Sequence, residues 1–116
     1  MQQIEKLYDI QRIYDLASGD HNFVKRLITI FVTETPETIN AMFEAHKNGD
    51  NDTLKRLAHR IKPSIQNLGI NSIVNDLRDL EAGTESHNNA AKLTKIAKVL
   101  IEVLVGLKEE MELVPA

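Results

Sequence analysis

The chain of 116 residues has no cysteine and no tryptophan, and only 4% of its residues are aromatic. Without cysteine it can form no disulfide framework, no thiolate nucleophile and no cysteine-based zinc site. A strong charge of one sign is lacking as well, because 17 acidic residues face 14 basic ones for a net charge of −3. This balance argues against a protein that binds nucleic acid through a broad basic surface.

Long apolar runs are also missing from the sequence. The longest, residues 99–107, is interrupted by Glu102 and is too short to span a bilayer, and the amino terminus has no basic head before an apolar stretch. We therefore expect no membrane segment and a cytoplasmic protein. Since 42% of the residues are hydrophobic and 27% are charged, the chain can build a core, and its length fits a single domain over residues 1–116.

Glycines followed closely by potential helix caps divide the chain into five segments whose apolar residues recur three and four positions apart. This spacing predicts helices over residues 9–17, 20–48, 51–68, 71–82 and 88–112. Short connections then predict an all-α fold, an antiparallel up-down four-helix bundle with a short additional N-terminal helix on its side or end. We expect Pro36 to kink the second helix; the alternative is two helices with a break at Thr35.

One apolar stripe on each helix predicts the core. Because the bundle would bury all of these stripes and leave none for a second copy of the chain, we expect a monomer. The predicted core residues of the second, fourth and last helices are Phe23, Leu27, Ile30, Phe31, Ile39, Met42 and Phe43; Ile73, Leu77 and Leu80; and Leu93, Ile96, Leu100, Leu104, Leu107 and Met111.

The third helix has two distinct faces. Its predicted core face carries Leu54, Leu57, Ala58, Ile61, Ser64, Ile65 and Leu68, and its opposite face carries Asp52, Lys55, Arg56, His59, Lys62, Pro63 and Gln66. His59 is therefore expected in solvent. Residues 52–69 include four basic residues and one acidic residue, a net charge of +3 in an acidic chain. Such a patch attracts an acidic partner or a phosphoryl group, although a solvated helix face without function has the same pattern.

The segment from Ala58 to Gly69, AHRIKPSIQNLG, resembles the A-H-x-L-K-G-S-x-x-x-x-G signature of histidine-containing phosphotransfer (HPt) domains. The Gly49-Asp50 turn before this helix and Leu80-Glu81 at the end of the next are similar to the family as well. Many members have glycine where this chain has Pro63, and a simple kink accounts for that proline without any function. The resemblance implies a phosphocarrier that accepts a phosphoryl group on His59 from the aspartate of one response-regulator receiver domain and passes it to another.

The resemblance also implies partners and cofactors. Receiver domains and a hybrid histidine kinase are the expected partners. Any Mg²⁺ is expected to come from the receiver, with no cofactor or metal bound by this chain. The remaining histidines, His21, His46 and His87, include no pair with the i, i+4 spacing of helical metal ligands.

Imidazole suits the chemistry, because its neutral form is nucleophilic near pH 7 and phosphoryl transfer asks the protein mainly for positioning and charge neutralisation. Lys62, one turn beyond His59, is expected to stabilise the phosphoryl group. The resemblance implies that Glu81 accepts a hydrogen bond from the other ring nitrogen of His59. We interpret Ser64 as a small packing residue or a hydrogen-bond donor, and Gly69 as a helix C-cap or a point of close approach.

Receiver contacts are expected from Lys55, Arg56, Pro63 and Gln66. Two other functions remain open: an HPt-like docking module that has lost phosphotransfer, and the dimerisation and phosphoacceptor region of a histidine kinase. The H-box of such kinases also has histidine followed by a basic residue and proline. That region is a dimerising two-helix hairpin, and it works with an ATP-binding domain that this sequence does not contain.

Overall fold

The computed structural model of the chain describes residues 7–83 and 89–111, and within these ranges the regular structure is entirely helical. The five helices are α1 (Ile10–Leu16), α2 (His21–Lys47), α3 (Asn51–Asn67), α4 (Val74–Glu81) and α5 (Asn89–Glu110). The predicted all-α class is confirmed. No helix in these ranges combines the length and the apolar character needed to cross a membrane.

Of the predicted helices, the fourth agrees least with the structure. A turn of 3-10 helix over Asn71–Ile73 precedes α4, so the prediction of one helix over residues 71–82 merged two elements. Apolar spacing does not separate the two, because a single 3-10 turn presents its side chains much as the first turn of an α-helix does. The predicted first and last residues of the last helix, 88 and 112, lie outside the described residues.

Helices α2 to α5 form a ring around one core. α2 packs against α3 and α5, and α4 packs against the same two helices from the other side. The segment before α1 is tied to one end of this ring, because the amide of Asp9 donates to the carbonyl of Leu68 at 2.7 Å and the phenol of Tyr8 donates to the Glu110 carboxylate at 2.6 Å. α1 follows, packs on α2 and buries Ile13.

Gly-Asp pairs start α2 and α3, as the sequence predicts. Asp20 caps α2 by accepting from the Phe23 amide, and Asp50 caps α3 by accepting from the Thr53 amide, each at 3.1 Å. A cap of this kind stabilises a helix by about 1 kcal/mol. The Thr53 hydroxyl also donates to Asp50 at 2.6 Å, and the hydrogen bonds from Thr53 hold the pKa of the Asp50 carboxyl below its usual value.

Pro36 does not interrupt α2. The helix continues from His21 to Lys47, so the alternative of a break at Thr35 is wrong. Thr35 is buried in the core, whereas Pro36 is exposed and directs its ring toward solvent. The proline thus occupies the side of the helix where a missing backbone donor costs least.

The core face of α2 differs from the predicted one. Phe23, Leu27, Ile30 and Phe43 were expected in the core, but they are 37% to 47% exposed, so the prediction is wrong for these four residues. The buried stripe runs instead through Val24, Ile28, Phe31, Thr35, Ile39, Met42 and Ala45. Apolar side chains cover a wider arc of α2 than its neighbours bury, and the larger ones lie at the edge of that arc. The predicted core residues of the fourth and last helices are all buried.

Adjacent residues of α5 test the burial pattern. Leu100 is completely buried, whereas Ile101 is 58% exposed. We expect Leu100→Ala to lower the free energy of unfolding by about 2–5 kcal/mol, because it removes buried methyl groups and leaves a cavity. Ile101→Ala should change it by no more than about 0.5 kcal/mol. Urea denaturation followed by circular dichroism measures both, and equal losses would contradict the assigned core face of α5.

Candidate functional site

The polar face of α3 lies in solvent, with His59 at its centre. The His59 side chain is 73% exposed. On the core face, Leu54, Ala58, Ile61, Ile65 and Leu68 are buried and Leu57 is half-buried, as the periodicity predicts. Ser64 was expected on that face as a packing residue, but it is exposed. The reason is that the neighbouring helices bury a narrower arc of α3 than the predicted core face covers. Ser64 lies just outside this buried arc.

Glu81, the last residue of α4, joins that helix to the exposed histidine. Its Oε1 atom lies 2.7 Å from Nδ1 of His59, which is the contact that the sequence resemblance implied. Its Oε2 atom accepts a second hydrogen bond, from the ammonium group of Lys62. One carboxylate therefore binds two residues of α3 that are one turn apart. Sequence reasoning missed the Lys62 contact, although the spacing of His59 and Lys62 on one helix was a signal for a shared partner.

The Glu81 carboxylate decides which ring nitrogen of His59 is free. Hydrogen bonds from Lys62 and then from His59 lower the pKa of Glu81, so the carboxylate stays ionised near neutral pH. An ionised carboxylate only accepts hydrogen bonds, so Nδ1 carries the proton in this contact. In the neutral imidazole, Nε2 then holds the available lone pair.

A shallow depression adjoins His59. It is lined by Asp52, Lys55, Arg56, His59 and Glu81, and Lys62 lies outside this lining. The guanidinium of Arg56 donates to the Thr53 hydroxyl at 3.1 Å, whereas residues 7–83 and 89–111 give Lys55 no hydrogen bond or ion pair. In the same ranges there is no group of three or more His, Asp or Glu side chains that can hold a metal ion.

The opposite flank of α3 is apolar. Arg60 and Ser64 of α3 line a groove together with Leu27 and Ile30 of α2, which are two of the exposed residues that the sequence placed in the core. Leu16, at the end of α1, is also exposed. The prediction from the sequence missed this apolar face because it assigned Leu27 and Ile30 to the core.

The remaining predicted site residues are spread along α3. Pro63 is exposed and Gln66 is half-buried. Gly69 ends the helix with a positive φ of 66°, and its amide donates to the carbonyl of Gln66 at 3.0 Å. A Cβ atom there would lie 3.0 Å from the Arg12 side chain and 3.1 Å from that of Asp9. Gly69 therefore acts as a C-cap, and the surface that approaches it closely is α1 of the same chain.

The other histidines lie apart from this site. His21 is hydrogen-bonded to the Tyr14 hydroxyl at 2.6 Å, and its ring stacks on that of Tyr14. His46 is half-buried in the last turn of α2, and His87 lies outside the described residues. Among the histidines that the structure describes, only His59 is hydrogen-bonded to a carboxylate.

The sequence of this chain is similar to those of known proteins. A family model described as "Hpt domain" matches residues 26–114. The chain is 23% identical over 103 residues to Sensor protein EvgS of Escherichia coli strain K12, and by the same figure to the protein of that name from Escherichia coli O157:H7. Each match covers 89% of this chain but only 9% of the relative, so the chain spans a small part of these proteins. No solved structure matches the chain significantly.

The lowered pKa of Glu81 predicts a pH-dependent contribution to stability. Its folded-state pKa lies below the ordinary value of 4.5, so the contribution is present above about pH 4.5 and is lost as the pH falls through the folded-state pKa. We expect Glu81→Gln to destabilise the protein at pH 7, and the difference from wild type to shrink by pH 3. Urea unfolding at both values measures this, and a difference that grows on acidification would contradict the ionised contact.

Proposed function

This chain belongs to the Hpt domain family, which implies histidine phosphotransfer in phosphorelays, and on that premise we propose that it is a phosphocarrier that takes its phosphoryl group on Nε2 of His59. The donor is the aspartyl phosphate of one receiver domain, and the acceptor is the aspartate of another. The observation that carries this proposal is an exposed imidazole whose Nδ1 atom is held by Glu81, while the residues that the structure describes give Nε2 no hydrogen bond.

The transfer is an exchange of bonds at phosphorus. The lone pair of Nε2 forms the N–P bond as the P–O bond of the aspartyl phosphate breaks, and the aspartate leaves as a carboxylate. The ring becomes an imidazolium, whose positive charge the Glu81 carboxylate stabilises through the Nδ1 hydrogen bond. The second transfer runs the same exchange in reverse onto the next receiver. The reaction depends on the receiver, to which we also assign any Mg²⁺ that takes part.

Lys62 contacts a carboxylate of this chain, whereas its position in the sequence suggests a phosphoryl group as its partner. It was expected to stabilise the phosphoryl group, and in the structure its ammonium group donates to Glu81. We propose that Lys62 holds the Glu81 carboxylate in place, and through it the orientation of the imidazole. In this proposal Lys62 is a positioning residue in the protein that awaits phosphorylation.

We propose that the receiver docks over the apolar face formed by Phe23, Leu27 and Ile30, which follow one another at helical spacing on α2. Exposed apolar groups next to a polar reactive centre are typical of a surface that a partner covers. This face borders Arg60, the residue after His59, so a domain seated on it has the imidazole at its edge. Pro63 and Gln66, on the same exposed side of α3, extend the surface toward the C-terminal end of that helix.

The structure favours this function over the kinase hairpin. The phosphoacceptor region of a kinase is a two-helix hairpin that dimerises, whereas the described residues place His59 on the third of five helices that share one core. A docking module without phosphotransfer has the same fold, and phosphate uptake separates it from a phosphocarrier.

We predict that His59 is the phosphorylated residue. Incubation with a receiver that acetyl phosphate has phosphorylated should transfer a labelled phosphoryl group to the wild-type protein. His59→Gln should abolish this label because glutamine has no nucleophilic nitrogen. His46→Gln is the matched control and should retain it. Circular dichroism checks that both variants keep their helix content. Label that survives in His59→Gln would refute the assignment, and an unlabelled wild type tested against all receivers of its cell would favour a docking module.

A charge on the apolar face should weaken docking. We expect Ile30→Asp to raise the half-saturating receiver concentration about 10-fold or more, because a buried charge without a partner opposes association. Ile101→Asp on α5 is the control, since Ile101 is also exposed but lies outside this face, and we expect it to have little effect. Phosphotransfer rates across receiver concentrations measure both. Equal effects would place the docking surface elsewhere.

A further inference from the structure

We propose that the phosphoryl group carried by His59 lies in the depression next to Lys55, and that Lys55 rather than Lys62 supplies the positive charge that contacts it. This inference rests on the proposed function, because it concerns the same phosphorylated histidine. It differs from the expectation from the sequence, in which Lys62 stabilises the phosphoryl group and Lys55 contacts the receiver.

Lys62 is already committed to another anion. Its ammonium group donates to Glu81, and its side chain is only 20% exposed. The Glu81 carboxylate also holds His59, so if Lys62 turned toward a phosphoryl group, it would leave an ionised, partly buried carboxylate without its main partner. Hydrogen bonds between charged groups are among the stronger ones in proteins, and breaking this one opposes such a movement.

Lys55 lies close to His59 and is positioned to contact a phosphoryl group. It is exposed, lies one turn before His59 on α3, and lines the depression that His59 also lines. Its aliphatic stem runs over Gly83 just beyond the end of α4, where a Cβ atom on Gly83 would lie 3.4 Å from Cδ and 3.9 Å from Nζ of Lys55. The carbonyl groups at the end of α4 carry partial negative charge, which favours an ammonium group at this position.

Among residues 7–83 and 89–111, the charges around the depression leave Lys55 as the free cation. Asp52 and Glu81 are its acidic members, and Lys55 and Arg56 are its basic members. Arg56 is hydrogen-bonded to Thr53, whereas the described parts of the chain give Lys55 no hydrogen bond or ion pair. A phosphoryl group adds nearly two negative charges, and it would meet Lys55 without breaking a hydrogen bond or ion pair to any residue that the structure describes.

The test measures the second ionisation of the phosphoryl group on His59 in the absence of any receiver. Phosphoramidate serves as the donor: the bond from Nε2 to phosphorus forms, the P–N bond of the reagent breaks, and ammonia leaves. ³¹P NMR of the phosphorylated protein then follows the second ionisation of the phosphoryl group as the pH is varied. A contacting cation favours the dianion and lowers the midpoint of this titration.

We expect Lys55→Gln to raise the midpoint by about 0.3–0.7 pH unit, the size of shift that a partly exposed ion pair produces. Lys55→Arg should restore the wild-type midpoint. Lys62→Gln should shift it by less than half as much, and Arg60→Gln is the matched control on the opposite flank of α3 and should leave it unchanged.

Three results would overturn the inference: a larger shift for Lys62→Gln than for Lys55→Gln, no shift for Lys55→Gln, or equal shifts for all the neutralised cations, which would indicate a diffuse field and no contact. Failure to label wild-type His59 with either phosphoramidate or a charged receiver would instead refute the proposed function. The two failures are therefore distinguishable.

Discussion

The carboxylate of Glu81 is the contact on which the geometry of the site depends. A single residue at the end of α4 binds His59 through one oxygen and Lys62 through the other. Residues three apart on an α-helix lie about 60° apart around its axis and one turn apart along it, so both side chains of α3 can reach one carboxylate on the neighbouring helix. The buried side chains of Leu77 and Leu80 anchor α4 in the core, and the orientation of the exposed imidazole therefore rests on core packing.

His59 lies between two unlike flanks of α3. Toward α4 the neighbours are charged, with Lys55, Lys62 and Glu81 close to the end of that helix. Toward α2 they are apolar, and exposed side chains such as Leu27 and Ile30 line a groove. The lengths of the two helices contribute to this difference: α2 has 27 residues, whereas α4 has 8. The long helix carries more apolar side chains than its neighbours cover. In the proposed function, the flank toward α4 stabilises the charge of the phosphoryl group and the flank toward α2 binds the receiver.

Two helices of the bundle contain a proline, and both continue through it. A proline inside a helix costs about 3 kcal/mol and leaves the carbonyl four residues earlier without its usual partner. Pro36 and Pro63 are both exposed, while the opposite faces of α2 and α3 are held by their buried stripes. For Pro63, the carbonyl that loses its usual helical donor belongs to His59. Tertiary packing outweighs the local cost in both helices.

Local sequence was enough to predict the helical class, the Gly-Asp helix starts, the core faces of α4 and α5 and the exposed position of His59, because helical periodicity and capping act over a few residues. The tertiary structure alone decided which arc of α2 is buried, since that depends on where α3 and α5 lie; Phe23, Leu27 and Ile30 are apolar, yet the neighbouring helices leave them exposed. It also decided the partner of Lys62. One turn of α3 places Lys62 near His59, but only the packing of α4 against α3 brings Glu81 between them, and the lysine binds that carboxylate because an ionised pair is more stable than two separate charges in a partly buried site.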